Sequence, residues 1–183
     1  MRLMAILCGF CLLAVAAHAQ LPSANVYVGY SYARADLSFN DHASMRGWEA
    51  SLEGKMFPMV GIVADASSDY SNSTVPFCTI PGTCPNIVVN TTLRVFTAGP
   101  QVSLPLGRFS PFVHGMVGGA HIKEGNNGYS AADTSLAVVL GGGLDYRLFH
   151  GIKWRLQGDE VQTRFFGGTQ NNLRVSTGLV VHF

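Results

Sequence analysis

From residue 172 to the end of the chain, side-chain character alternates one residue at a time. Leu173, Val175, Thr177, Leu179, Val181 and Phe183 take one parity; Asn172, Arg174, Ser176, Gly178, Val180 and His182 take the other. A period of two puts successive side chains on opposite faces of a β-strand. The way the two faces divide is what limits the fold. Upstream, Val26, Val28, Tyr30 and Tyr32 oppose Asn25, Gly29, Ser31 and Ala33. Trp48, Ala50, Leu52 and Met56 oppose Glu49, Ser51, Glu53 and Lys55. Val60, Ile62, Ala64 and Ala66 oppose Gly61, Asp65, Ser67 and Asp69. Leu136, Val138, Leu140, Leu144 and Tyr146 oppose Ala137, Gly141, Gly143, Asp145 and Arg147. Ile152, Trp154 and Leu156 oppose Lys153, Arg155, Gln157 and Asp159. Charges therefore share a face with Gly, Ser and Ala, and the large apolar residues form the other. A soluble lipocalin-type barrel has the reverse arrangement. Large apolar residues outside and small or charged residues inside describe a sheet that faces lipid and encloses a narrow lumen. In hydrocarbon every backbone polar group must be paired within the protein, so such a sheet must close.

Two more segments, about 88–103 and 109–122, complete a set of eight. Their alternation is weaker. In the first, Arg94 points to even positions facing inward, although Phe96 and Val102 share that parity. In the second, Phe112 and Met116 oppose Val113 and Val117, and neither face is marked as the lipid one. The expected fold is all-β, an eight-stranded antiparallel transmembrane up-and-down β-barrel. Its connections alternate in length. Residues 57–59, 104–108 and 148–151 make short turns; residues 36–44, 70–87, 123–133 and 167–171 are longer and rich in Asn, Ser, Asp and Gly. Short periplasmic turns and longer extracellular loops are the plan of outer-membrane barrels. Phe57, Phe109, Tyr146, Phe149, Trp154 and Phe183 lie near the short turns and fit an interfacial girdle. The charges expected in the lumen are Arg34, Lys55, Arg94, Arg147, Lys153, Arg155 and Arg174 with Glu49, Glu53, Asp65, Asp145 and Asp159. Eight strands leave a lumen that side chains nearly fill, so a mixed set reads as a salt-bridged plug.

The first residues have a different character. Met1-Arg2 gives a positive start, Leu3 to Ala17 is apolar, and Ala17-His18-Ala19 is a small-x-small cleavage pattern. That is a secretory signal peptide cut after Ala19, leaving 1–19 as leader and 20–183 as the barrel domain. Cys8 and Cys11 leave with it, and Cys78 and Cys84 remain, spaced C-x5-C. Zinc sites of this kind want a second pair or nearby histidines. In an oxidising compartment a disulfide is the better expectation. Lysine plus arginine total 12 against 11 acidic residues, which lacks the basic excess of a nucleic-acid partner. The triple glycine 141–143 matches neither G-x-G-x-x-G nor G-x-x-x-x-G-K and sits mid-strand, where close strand contact explains it. His114, His121, His150 and His182 have no metal-ligand spacing, so neither cofactor nor metal is expected.

The ending Gly178-Leu179-Val180-Val181-His182-Phe183 resembles the assembly signal of outer-membrane barrels, carried by Val175, Leu179, Val181 and Phe183. Gly141 to Arg147 and Arg155 to Asp159 look like the sixth and seventh strands of the porin-like "outer membrane protein beta-barrel" family, related to the OmpA- and OmpX-like barrels. Gly99-Pro100 and Ser110-Pro111-Phe112-Val113-His114-Gly115 are similar to its middle strands. The resemblance implies a monomeric barrel in the bacterial outer membrane, placed there by the barrel assembly machinery and surrounded by outer-membrane lipid and lipopolysaccharide. It does not imply one activity. The peptidoglycan-binding domain that follows the barrel in some OmpA-like proteins is not expected. Lipid A deacylases use a His-x-Ser pair with an acidic partner. His42-Ala43-Ser44 is such a pair here, but it sits in the first loop rather than toward the end of the chain. The expected function is non-enzymatic, in envelope integrity or surface interaction. A narrow low-conductance pore is the alternative and a lipid-modifying enzyme the second.

The cysteine reading has a direct test. Protein taken from the envelope should show no reactive thiol at Cys78 or Cys84 before reduction and two after it. Two thiols labelled without reductant would contradict the disulfide.

Overall fold

The computed structural model describes residues 23–37, 41–76, 86–126, 129–165 and 168–183. These residues form eight strands: β1 (Ala24–Leu37), β2 (Asp41–Lys55), β3 (Val60–Pro76), β4 (Asn86–Ser103), β5 (Phe109–Asn126), β6 (Tyr129–Phe149), β7 (Ile152–Phe165) and β8 (Gly168–His182). Each pairs antiparallel with the next, and β8 pairs back onto β1 to close a barrel. At the seam Ala24 N–H donates to the Phe183 carbonyl at 3.2 Å, and Phe183 N–H donates to the Ala24 carbonyl at 2.9 Å. The register from Asn25 runs through Glu53, Val63 and Gly99, crosses to Met116, and continues through Val139, Val161 and Asn172 to Ala35. One circuit thus returns ten residues further along β1, from 25 to 35. A stagger of that size goes with strands tilted by about 40° to the barrel axis.

Both ends of the described chain and the short turns lie at one end of the barrel. There Leu106 and Phe109 exchange backbone hydrogen bonds of 2.7 and 3.2 Å around Gly107-Arg108, and Gly151 turns the chain at φ 82°. At the other end the strands run further than their hydrophobic pattern. Pairing continues to Leu37↔Asp41, Pro76↔Asn86, Asn126↔Tyr129 and Phe165↔Gly168. Much of what reads as loop in 36–44, 70–87 and 123–133 is therefore strand. A ladder that leaves the apolar belt can be polar on both faces, so alternation disappears while pairing persists. Ala17, Ala19, Cys78 and Cys84 lie outside the described residues.

The faces of β1, β2, β3, β6, β7 and β8 divide as the sequence leads one to expect, with large apolar residues such as Val28, Leu52, Ile62, Leu140 and Leu179 exposed. In β4 the odd residues Leu93, Val95, Thr97, Gln101 and Ser103 are buried in the lumen. Arg94 therefore faces outward with Phe96 and Val102, against expectation. In β5 the even residues Ser110, Phe112, His114, Met116, Ala120 and Ile122 face inward. Arg34 also faces outward, because it shares parity with Val28, Tyr30 and Tyr32. The reason is common to both arginines. In the half of the barrel away from the termini the lumen is filled by apolar side chains: Ala33, Met45, Leu93, Val95, Ala120, Ile122, Ala137, Val139, Val161 and Phe165. A charge there would stand in a mainly apolar packing whose buried carboxylate, Asp69, is already bonded to Ser31, whereas an outward arginine past the apolar belt reaches a polar medium.

The glycines of β6 hold neighbouring strands close. A Cβ at Gly143 would lie 2.3 Å from the Leu156 carbonyl oxygen, and one at Gly141 would lie 2.1 Å from Asp159 Oδ1. Overpacking of this kind costs about 1–3 kcal/mol or more. Gly143→Val should lower the fraction of protein that migrates as the folded, heat-modifiable form in SDS gels. Leu140→Val on the exposed face should leave it unchanged. Wild-type folding of the Gly143→Val protein would show that the close approach is dispensable.

Candidate functional site: the charged lumen

Eight strands bring the polar residues of every inward face within reach of one another. They stack in tiers along the barrel axis. The lowest tier, at the end carrying the short turns, holds Lys55, Arg147 and Lys153, which are only partly buried or exposed. His182 joins them, its Nδ1 at 2.7 Å from Asn25 Oδ1. An amide oxygen only accepts, so the imidazole Nδ1–H donates. Asn25 in turn donates from Nδ2 to Glu53 Oε2 at 2.6 Å.

Above this, Arg155 donates to both oxygens of Asp145, at 2.7 and 3.0 Å. The pair comes from facing positions of β6 and β7, and such a fork-to-fork contact is the strongest geometry open to a guanidinium. The same group lies 4.2 Å from the Phe112 ring centroid and 5.2 Å from that of Tyr27. Stacking on two rings satisfies its faces while the carboxylate satisfies its edge.

The middle tier is organised by Arg174, which is 2% exposed. It donates to Asp159 Oδ2 from Nη2 at 2.7 Å and from Nε at 3.2 Å. Its other donors reach Ser67 Oγ at 2.8 Å and Asp65 Oδ1 at 3.4 Å, and Glu49 Oε1 lies 3.4 Å away. One guanidinium from β8 thus serves carboxylates from β2, β3 and β7. His114 Nε2 stands 2.9 Å from the other oxygen of Asp159, the oxygen that fills the space left by Gly141. Gln157 bridges Glu49 and Asp159. Beyond them Ser31 donates to Asp69, and the apolar cluster then closes the lumen.

The expected lumen charges thus separate into three groups. Glu49, Glu53, Asp65, Asp145, Asp159, Arg155 and Arg174 are buried inside. Lys55, Arg147 and Lys153 stand at the mouth, and Arg34 and Arg94 are on the outer wall. The interior is therefore not a balanced set. Among the described residues, Asp69 joins the buried acids, and the fully buried cations are Arg155 and Arg174. Three contributors were missed from sequence. His114 and Phe112 belong to β5, whose facing was open, and the apolar cluster looks in sequence like a second lipid face. The signal available for it was the run Leu93-Arg94-Val95-Phe96, apolar at both parities. Of the His-x-Ser pair, Ser44 Oγ is 2.9 Å from the Tyr32 hydroxyl; the side chain of His42 is outside what the structure describes.

No family model and no curated protein matches the sequence. Solved structures do match. Neisserial surface protein A superposes with a TM-score of 0.68 at 12% identity, over 87% of this chain and 97% of that one. Ail, the attachment invasion locus protein of Yersinia pestis, solved in complex with the heparin analogue sucrose octasulfate, gives 0.63 at 13% identity, over 88% and 98%. The outer membrane protein OprG from Pseudomonas aeruginosa gives 0.54 at 10% identity, over 88% and 95%. Identities this low carry no shared activity, but the architecture is the same along nearly the whole of each partner. This chain has the fold of the eight-stranded outer-membrane barrels.

Proposed function

We propose that this chain is a bacterial outer-membrane barrel without catalytic function, serving envelope integrity or surface interaction through its wall and its outward-facing end. The observation that carries the reading is the lumen. It is occupied twice over, by the Arg174 network in the middle and by the apolar cluster beyond it. A solute would have to break buried ion pairs and then cross a closely packed, mainly apolar layer. Both raise the barrier to passage.

The outer wall supports the membrane setting. Exposed apolar residues form a belt between two aromatic girdles. Phe57, Phe109, Phe149, Trp154 and Phe183 lie at the end with the short turns, and Tyr30, Tyr32, Trp48, Tyr70 and Phe96 at the other. Trp and Tyr at such levels anchor a protein at the membrane interface. One outward position beyond three of the upper aromatics stands an arginine: Arg34 after Tyr32, Arg46 after Trp48 and Arg94 after Phe96. Lys123 and Arg164 also face outward at that end, with Glu160 lower on β7. Guanidinium groups at this level suit the phosphates of outer-leaflet lipid, lipopolysaccharide included. In this setting the short turns face the periplasm. Phe183 is exposed on the same face as Val175, Leu179 and Val181, which supports reading this last strand as the signal for the assembly machinery.

Planar-bilayer recording of the refolded protein tests the reading. The wild type should be almost silent. Arg174→Met leaves Glu49, Asp65 and Asp159 without their shared cation, a loss of about 3–5 kcal/mol for a broken buried pair. That variant should unfold at lower temperature and show noisy, leaky conductance. Large, steady wild-type channels would overturn the closed-lumen reading in favour of a pore.

A further inference from the structure

The periplasmic mouth of the barrel holds a cavity of about 310 Å³ whose chemistry the lumen network does not use. Its lining includes Glu53, Lys55, Ser103, Arg147, Lys153 and His182. Among the described residues, no carboxylate forms an ion pair with Lys55, Arg147 or Lys153. Asp145 also borders the cavity, but both of its oxygens are taken by Arg155. Two further polar atoms have no partner although they are buried: Ser103 Oγ and Glu53 Oε1. The second oxygen of Glu53 is fixed by Asn25, which His182 holds in place from the other side.

Three cations that form no ion pair among the described residues and a free hydroxyl converge on one space, against a single free carboxylate oxygen, that of Glu53. That is a demand for an anion rich in acceptor oxygens. The free oxygen of Glu53 adds a selection rule. An ionised carboxylate only accepts, so it repels an anion that has acceptors alone and welcomes one that still carries an O–H. Sulfate is the first kind and hydrogen phosphate the second. We propose that the periplasmic vestibule is a binding site for a phosphate group that carries or adjoins a hydroxyl donor. Lys55, Arg147, Lys153 and Ser103 take its oxygens, and Glu53 takes its hydroxyl hydrogen. The same chemistry is offered by inorganic phosphate and by the phosphate and glycerol hydroxyls of an anionic lipid headgroup. The inference uses the reading above only for the name of the compartment; the cavity and its groups are independent of the closed lumen.

Calorimetric titration of the barrel refolded in a non-ionic detergent near neutral pH tests this, with ionic strength held constant by chloride. Inorganic phosphate should bind saturably at one site. Sulfate should bind at least about tenfold more weakly, because a site built to accept from a hydroxyl rejects the analogue without one. Glu53→Gln supplies an amide donor and should bring sulfate level with phosphate. Replacing Arg147 and Lys153 together by Gln should weaken phosphate by about tenfold or more. Arg108→Gln, a turn cation outside the cavity, should change nothing. Heat-modifiable migration checks that each variant is folded. Equal affinity of the wild type for phosphate and sulfate, no saturable phosphate binding, or unchanged affinity after the double substitution would each overturn the proposal. Repeating the titration in phosphatidylcholine nanodiscs with and without phosphatidylglycerol separates the sources. Weaker phosphate binding in the presence of phosphatidylglycerol supports the site with the lipid headgroup as its ligand, and unchanged binding supports it with soluble phosphate. In neither case would the closed-lumen reading be touched, since that stands or falls on conductance.

Discussion

A strand surrounded by hydrocarbon has no water to satisfy its N–H and C=O groups, so the ladder that closes from Phe183 onto Ala24 is the interaction on which everything else here depends. Closure with eight strands fixes the radius, and the radius fixes the residues. Where inward side chains must share so small a section, glycine and serine leave room for the few large groups that cross it. Gly141 leaves the space that the Asp159 carboxylate fills, and Gly143 the space taken by the backbone of β7. The inversion of polarity follows from the same closure. Lipid takes the apolar residues on the outside, and the interior is left to satisfy its own polar groups.

The interior does so in two ways along one axis. Toward the short turns, ion pairs are built from residues that sit on facing or adjacent strands, as with Asp145 and Arg155. Toward the other end Met, Val, Leu, Ile and Phe side chains fill most of the lumen as they would the core of a soluble domain, with Asp69, Thr163 and Asn172 buried among them. The cations left over from the first arrangement collect at the mouth, where water can reach them. Those excluded by the second project through the outer wall past the aromatic girdle. Charge placement in this molecule is thus set by which parts of the lumen can supply a counter-ion.

How much of this is legible in the sequence depends on whether the two faces of a strand differ. In β7 and β8 they differ at nearly every step, and the facing of Lys153 to Asp159 and of Arg174 to Val180 is legible residue by residue. In β4 and β5 they do not. Leu93 and Val95 face a packed lumen while Phe96 and Val102 face outward, so both parities are apolar and period-two reasoning has nothing to distinguish. The inference that a charged residue must point inward then fails at Arg94; at Arg34 it fails for another reason, because the alternation of Val28, Tyr30 and Tyr32 already sets that parity outward. The gathering of Glu49, Asp65 and Asp159 around one arginine depends on the stagger of the sheet, which brings β2 and β3 to the level of β7 and β8. No local pattern carries that stagger. It accumulates by small offsets at each hairpin.

That gathering has a mechanical side. Arg174 is anchored in β8 and holds Asp159 beside it, but its other partners, Asp65 and Ser67, belong to β3, and Gln157 of β7 likewise reaches Glu49 of β2. The bonds run across the section of the tube rather than along its wall. A ring of hydrogen-bonded strands flattens easily under sideways pressure, because bending at each hinge between strands is cheap. A cross-brace between opposite arcs removes that freedom, since any change toward an oval lengthens or crushes the brace. The arc formed by β2 and β3 and the arc formed by β7 and β8 are thereby tied to each other across the section.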